Sequence, residues 1–195
     1  SGLAAGTPVR AALDAESELP ALADLALLTA KPVLYVANIA EEAVGSDDAK
    51  VAALQSYAQA QGAECIALCG KIEAEIAELP ESDRAEFLQS LGLAEPGLQR
   101  LSRCLYHLLG LETFFTASET QNTAWTVRKG TTAVKAAGVV HSDFEKGFVR
   151  ADVYRLEDLE AHGTEAGVRS AGKMRSEGRD YVVQDGDIMF FRASP

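Results

Sequence analysis

A chain of 195 residues, 47% hydrophobic and 24% charged, has the composition of an ordinary globular protein with room for one sizeable core or two small ones. No apolar run approaches the roughly 18 residues of a membrane-spanning helix, and a net charge of −11 argues against a general nucleic-acid binder. The charge is uneven: residues 1–110 carry 7 Lys and Arg against 16 Asp and Glu, residues 111–195 carry 11 against 13, so a local basic face belongs to the second part if anywhere.

The start, SGLAAGTPVR, has neither an initiator Met nor signal-peptide architecture, and its Ser-Gly pair reads as the mark of a truncated chain. The stretch AALDAESELPALADLALLTA has helical period, broken at Pro20. KPVLYVAN, residues 31–38, has the pattern of a fully buried parallel strand. In GSDDAKVAALQSYAQAQG, Ser46 or Asp47 is available as an N-cap, and Val51, Leu54 and Tyr57 fall at helical spacing. AECIALCG reads as a second buried strand, and KIEAEIAEL puts Ile72, Ile76 and Leu79 on one helical face. This alternation predicts an α/β layer with a parallel sheet. ESDRAEFLQSLGL and PGLQRLSRCLYHLLGL continue as helices, the second with Pro96 near its start and Gly110 past its end.

From Thr113 the texture changes. TFFTASE, TAWTVRKG, GFVRADVY and DYVVQDGDIMFFRA are strand-like, whereas TTAVKAAGVV, with Thr131 or Thr132 as N-cap, and residues 156–176 are helical in pattern. That predicts an α+β unit with a boundary near residue 111. VQDGDI within it reads as a tight hairpin turn, Gly186 supplying a positive φ.

Several groups of residues are candidates for chemistry. Cys65, Cys69 and Cys104 are an odd, sparse set that reads as reduced, buried thiols of a cytoplasmic protein. His107, His141 and His162 are scattered, and no Cys/His cluster has zinc spacing. GVRSAGKM imitates a phosphate-binding loop in Gly167, Gly172 and Lys173. Met174 stands where a hydroxyl would hold Mg²⁺, however, and a polar helical stretch precedes it instead of a buried strand, so the match reads as an accident. NIAE, Asn38 to Glu41, ends the first strand, where ligands of open α/β sheets bind. Its amide and carboxylate suit the reading of a purine edge, or else merely end a strand and cap a helix. His141, Asp143 and Glu145 resemble an acid/base set, but His141 more simply ends a helix, with Phe144 and Phe148 filling the core. Arg128, Lys129, Lys135, Lys146 and Arg150, interleaved with Trp125 and Tyr154, would track phosphates only if several shared one side.

LLTAKPVLYVANIAEE, AEIAELPESDRAEFLQSLGLAEPGLQRL, LLGLETFFTASETQNTAWTVRKGTTAVKAAGVVHSDFEKGFVRADVY and AGKMRSEGRDYVVQDGDIM resemble successive blocks of the YchF family, the Obg-like ATPases. The blocks cover nearly the whole chain, and HSDFEKGFVRA with GRDYVVQDGDIM is the most specific. The resemblance implies an α/β P-loop nucleotide-binding domain that carries a helical coiled-coil insertion and is followed by an α+β TGS domain of β-grasp (ubiquitin-like) type. On that pattern residues 1–30 are the end of the insertion, 31–110 the C-terminal part of the nucleotide-binding domain, and 111–195 the TGS domain. VRKGTTAVKAAGVVHSDF also resembles the TGS segments of threonyl-tRNA and stringent-response synthetases.

For the site, the resemblance implies nucleotide contacts from Asn38, Ile39 and Glu41, and from Cys69 and Gly70 in the last base-contacting loop, where many relatives show Ser-Ala. Related GTPases carry Asn-Lys-x-Asp, whose Asp clamps guanine. The family's Asn-x-x-Glu goes with ATP, and also GTP, bound with Mg²⁺. The Walker A loop and the Mg²⁺ ligands of the family lie upstream of residue 1, so this chain alone is expected to be catalytically silent. The implied partners are nucleotide and the ribosome or ribosomal RNA, in the cytoplasm and without a membrane. A ribosome-, RNA- or protein-binding module acting through the TGS-like part without catalysis is the alternative.

Overall fold

The computed structural model describes residues 4, 6–12, 20–118 and 121–194. They fall in two compact units, Ser1–Leu108 and Leu109–Pro195.

In the first unit a short helix α1 (Val9–Ala12) and two 3₁₀ turns, Pro20–Leu25 and Leu28–Ala30, lead into strand β1 (Leu34–Asn38). Residues 13–19 of the predicted helical stretch lie outside the described residues. β1 pairs in parallel with β2 (Glu64–Leu68), from Leu34 opposite Glu64 to Asn38 opposite Leu68. The crossover is α2 (Ala49–Ala60), and its cap is Asp48 rather than Ser46 or Asp47: the Asp48 carboxylate accepts the Lys50 N–H at 2.7 Å. Gly45, at φ 75°, sets this later start, and the Ser46 hydroxyl is turned back to the Ala43 carbonyl at 2.9 Å. Val51, Leu54 and Ala58 form the inward face, while Tyr57, expected there, is 54% exposed and meets Tyr35 edge-on. Helices α3 (Gly70–Glu78), α4 (Glu81–Ser90) and α5 (Gly97–Leu108) complete the unit around Cys69, Ile72, Ile76 and Leu88.

The strands are less buried than their composition suggests, Val36 being 43% exposed. In a parallel ladder the backbone groups of alternate residues point to opposite sides. Ile39 N–H bonds the Leu68 carbonyl at 2.9 Å, so those of Leu34, Val36 and Asn38 face away from β2, where no strand lies among the described residues. At the far edge of β2 the Arg100 guanidinium donates to the Ala67 carbonyl at 2.7 Å.

The second unit is built on a mixed sheet in the order β4-β3-β7-β5-β6, from β3 (Leu111–Ala117), β4 (Asn122–Arg128), β5 (Phe148–Arg155), β6 (Arg175–Glu177) and β7 (Asp187–Ala193). β3 and β7 run parallel and the other pairs antiparallel. Alternate residues along a strand serve opposite faces. Phe114, Ala151, Val153 and Met189 pack with α6 (Ala133–Val140), and Phe115, Tyr154 and Ile188 pack with α8 (Leu156–His162) and α9 (Glu165–Ser170). The small α7 (Ser142–Lys146) lies between α6 and β5 in the chain, with His141 ending the first and opening the second. Its Phe144 is 38% exposed, so of the two phenylalanines expected in the core only Phe148, at 6%, is there.

Three local expectations change. β6 takes up the last two residues of the stretch read as helical, because three residues recruited onto the edge of β5 leave too short a pattern to see. The VQDGDI turn has Gly186 at φ 82°, but it joins no hairpin, since β5 stands between β6 and β7. It is tied instead to β3, where Thr113 donates to the Asp185 carboxylate at 2.7 Å and accepts from Gly186 N–H at 2.8 Å. Thr132 precedes α6 without a side-chain cap, and the Ala133 N–H is satisfied by the Tyr181 carbonyl at 2.7 Å.

GVRSAGKM is the exit of α9. Gly172, at φ 69°, donates to the Arg169 carbonyl at 3.0 Å, and Lys173 N–H reaches back to the Val168 carbonyl at 3.1 Å. These are the paired bonds of a Schellman stop, which consume the N–H groups a phosphate cradle would need.

Candidate functional site

The carboxyl ends of β1 and β2 carry the candidate residues, and the structure ties the two following loops together. Asn38 ends β1 with an exposed side chain, and its Oδ1 accepts the Gly70 N–H at the start of α3 at 3.0 Å. The remaining Nδ2–H₂ is a pair of outward donors. Glu41 opens a 3₁₀ turn, Glu41–Ala43, and binds Lys71 Nζ at 2.5 Å. Lys71 also faces Glu75 at 3.9 Å, and the bond to Glu41, followed by the charges of Glu41 and Glu75, raises its pKa above the ordinary lysine value. Both members of the Glu41–Lys71 pair are substantially exposed, so its strength is set by solvent screening.

Ile39 and Cys69 lie between these ties and face inward. Ile39 packs against the cluster of Cys69, Ile72, Ile76 and Leu88, and Cys69 is 5% exposed. What Ile39 offers a ligand is therefore its backbone carbonyl, its N–H being held by Leu68. Cys69 turns its thiol into the core, and the loop's accessible contribution is the main chain at Gly70. Lys71 was not foreseen: it follows Gly70 directly, but only the folded register brings it opposite Glu41.

A cleft of about 220 Å³ lies nearby, walled by Ile39, Val44, Val51, Cys69, Leu93 and Arg100 among others, but Asn38, Glu41 and Gly70 are not on its wall. It is a mostly apolar gap that shares Ile39 and Cys69 with the candidate set. Of the three cysteines expected to be buried only Cys69 is; Cys65 and Cys104 are half-buried, and that partial burial is the first cause that raises their thiol pKa. Among the described residues no group of three or more His, Cys, Asp or Glu stands together to hold a metal, and no helix is long and apolar enough to cross a membrane.

The basic residues of the second unit are not one patch. Arg128 pairs with Leu111, four residues before Phe115; Phe115 is level with Ile188, and Arg192, opposite Arg150, is four residues further on. At about 3.3 Å per residue, Arg128 and Arg150 stand roughly 26 Å apart along the strands. Lys135 is paired with Glu145 at 2.6 Å, and Lys146 lies 3.7 Å from Asp143. Neither interleaved aromatic is a free stacking platform: Tyr154 is 2% exposed, and Trp125 is partly buried against the core, its indole N–H bonded to Thr116 Oγ1 at 2.9 Å. His141 Nδ1 accepts the Asp143 N–H at 3.2 Å, which makes it a helix cap.

Two βα loops tied together at the ends of parallel strands make the first unit α/β, and a separate mixed-sheet unit follows it in the chain. Comparison with known proteins makes the class specific. Residues 111–194 match the family model YchF-GTPase_C, described as a protein of unknown function (DUF933). The chain is 48% identical over 187 residues to the ribosome-binding ATPase YchF of Bacillus subtilis, covering 95% of this chain and 51% of that protein. It is 37% identical over 188 residues to Obg-like ATPase 1 of Caenorhabditis elegans, covering 95% and 47%. The solved structure of the Schizosaccharomyces pombe YchF GTPase superposes with a TM-score of 0.85 at 31% identity, over 97% of this chain and 50% of that one. Residues 111–194 carry the YchF-GTPase_C family match, and the chain over nearly its whole length is similar to YchF-type, Obg-like ATPases. It spans about half the length of the curated relatives it matches and corresponds to their C-terminal portion.

Proposed function

We propose that this chain supplies the base-reading side of the nucleotide site in a ribosome-associated YchF-type ATPase of the cytoplasm. Residues 1–30 are the end of its helical insertion, 31–110 the last part of its P-loop domain, and 111–195 a TGS domain of β-grasp type. The observation that carries the reading is the pair of ties, Asn38 to Gly70 and Glu41 to Lys71, which fix two strand-end loops around one small site. With Asn38 Oδ1 committed, its amide N–H₂ donates outward, and the Ile39 carbonyl is an acceptor beside it. Adenine presents the matching edge, the N7 acceptor and the N6–H₂ donor, whereas guanine sets O6, a second acceptor, against the carbonyl. Glu41 is engaged by Lys71 in a solvent-screened pair, so clamping the N1–H and N2–H₂ donors of guanine would compete with that pair. The reading is therefore ATP in preference to GTP.

The residues of this chain fit the base and no more. These 195 residues contain no G-x-x-x-x-G-K-[ST], so on this reading phosphate and Mg²⁺ would be held by the rest of a YchF-type P-loop domain, and hydrolysis is expected only with that part present. The test is nucleotide affinity in full-length protein. Lys71→Met, which frees Glu41, is expected to shift the ATP-to-GTP affinity ratio toward GTP by several-fold, and Asn38→Ala to weaken both. An unchanged ratio in Lys71→Met together with unchanged affinities in Asn38→Ala would refute the base-reading role.

A further inference from the structure

The sheet of the second unit holds two arginines where sheets avoid them. Arg150 on β5 and Arg192 on β7 are direct cross-strand partners, and like charges directly opposite each other destabilise a pair. One carboxylate stands between them. Asp152 Oδ2 accepts from Arg192 at 3.0 and 3.1 Å, and Oδ1 lies 3.5 Å from Arg150 Nε. Asp152 itself is 7% exposed, whereas the side chains of Arg150 and Arg192 are 57% and 54% exposed. A buried anchor thus fixes two guanidinium groups with their outer faces in water, and a single negative charge neutralises only one of them.

Beside this pair is a hollow of about 240 Å³ walled by Arg150, Asp152, Arg169, Met174, Arg175 and Ser176. Arg169 comes from α9 and is held at 3.2 Å by Glu165 in a solvent-screened pair. Arg175 is not counted as a ligand group, because its guanidinium is bound by Glu177, Tyr181 and Asp187. Ser176, level with Asp152, adds a hydroxyl. Planar guanidinium forks suit phosphate oxygens, which they bind in pairs. The volume falls short of the roughly 300–1,000 Å³ of sites that engulf a whole small ligand. It suits one phosphate of a longer polyanion.

We propose that this hollow seats a backbone phosphate of RNA between Arg150 and Arg169, with Arg192 adding positive charge beside it through its pair with Asp152. The proposal rests on the reading that the chain docks on the ribosome and names the place of contact. It sets Arg128, Lys129, Lys135 and Lys146 outside that contact. Binding of the full-length chain to intact ribosomes and to a ribosomal RNA oligonucleotide of about 20 nucleotides is measured against KCl concentration. Arg150→Gln and Arg169→Gln are each expected to weaken RNA binding roughly 3–10-fold near 0.1 M salt and to reduce the salt slope by about 0.7–0.9. Arg169→Lys, which keeps the charge, is expected to retain the slope. Lys50→Gln, in the first unit, is expected to change neither quantity, and Trp125 fluorescence checks that each variant is folded. Wild-type RNA binding that Arg150→Gln and Arg169→Gln leave intact overturns the hollow while ribosome docking stands. No wild-type binding to ribosomes or RNA overturns both.

Discussion

Gly97 opens α5, and a methyl group there tests how that helix is held. Glu73, on α3 and 7% exposed, accepts the Gly97 N–H at 2.7 Å and the Leu98 N–H at 3.1 Å, so one buried carboxylate caps the helix from another element. A Cβ on Gly97 would lie 2.7 Å from Glu73 Oε1 and 3.0 Å from Leu68 Cβ, and the carboxylate would have to shift, weakening the cap. In Glu73→Ala the buried Gly97 N–H loses its acceptor at about 1–3 kcal/mol. Leu98 is 52% exposed, so water replaces its bond cheaply. The lost charge at the helix N-terminus adds about 0.3–1 kcal/mol, and relief of carboxylate desolvation offsets part, leaving about 2 kcal/mol of destabilisation. Gly97→Ala should lose about 1–2 kcal/mol in spite of alanine's better helix propensity, itself worth up to about 1 kcal/mol. The double variant should lose clearly less than the sum, because both changes break one contact. Urea unfolding followed by far-UV circular dichroism reads the loss. A Gly97→Ala variant more stable than wild type would refute the account.

Asp187 is fully buried, and its Oδ2 accepts from the Tyr181 hydroxyl at 2.7 Å and the Gln184 N–H at 2.9 Å, while Oδ1 faces Arg175 and Arg155 at 3.6 and 3.7 Å. Asp187→Ala leaves these groups uncompensated and should destabilise the second unit by about 3–5 kcal/mol, read as an early Trp125 transition. The pKa of Tyr181 is raised above 10.0, first by burial and then by its bond to the Asp187 carboxylate, and burial raises Tyr154 likewise. A raised phenol pKa gives stability that is complete below the unfolded-state value and lost as pH climbs through the folded one. The second unit should therefore weaken above about pH 10, and Tyr181→Phe should flatten that slope without altering it near neutrality. An identical alkaline slope in wild type and Tyr181→Phe would contradict this.

The layered parts of the fold were legible because their patterns are local. Alternation of apolar runs with helical spacing was enough to mark β1, α2, β2 and α3, and Pro96 and Gly110 bracketed α5. What was hidden depends on pairing between distant segments. β6 is three residues long and becomes a strand only because β5 offers an edge. The place of Asn38 at a strand end was readable, but the pairing of Glu41 with Lys71 is a contact between residues 30 apart. The basic residues looked like one set because sequence gives no register: once the ladders are aligned, Arg128 and Arg150 belong to opposite ends of the sheet. Arg192 and Asp152, 40 residues apart, carried no signal at all.

The tie between Asn38 and Gly70 is made by a main-chain N–H, which every residue except proline possesses. A Cβ at position 70 would come no nearer than 3.4 Å to the Asn38 amide, an ordinary contact, so alanine has room there as well as glycine. Selection acting on that contact sees shape and not letters. The second loop can drift through small residues while its grip on the first persists, and a search for the site by its spelling would find one loop and pass over the other.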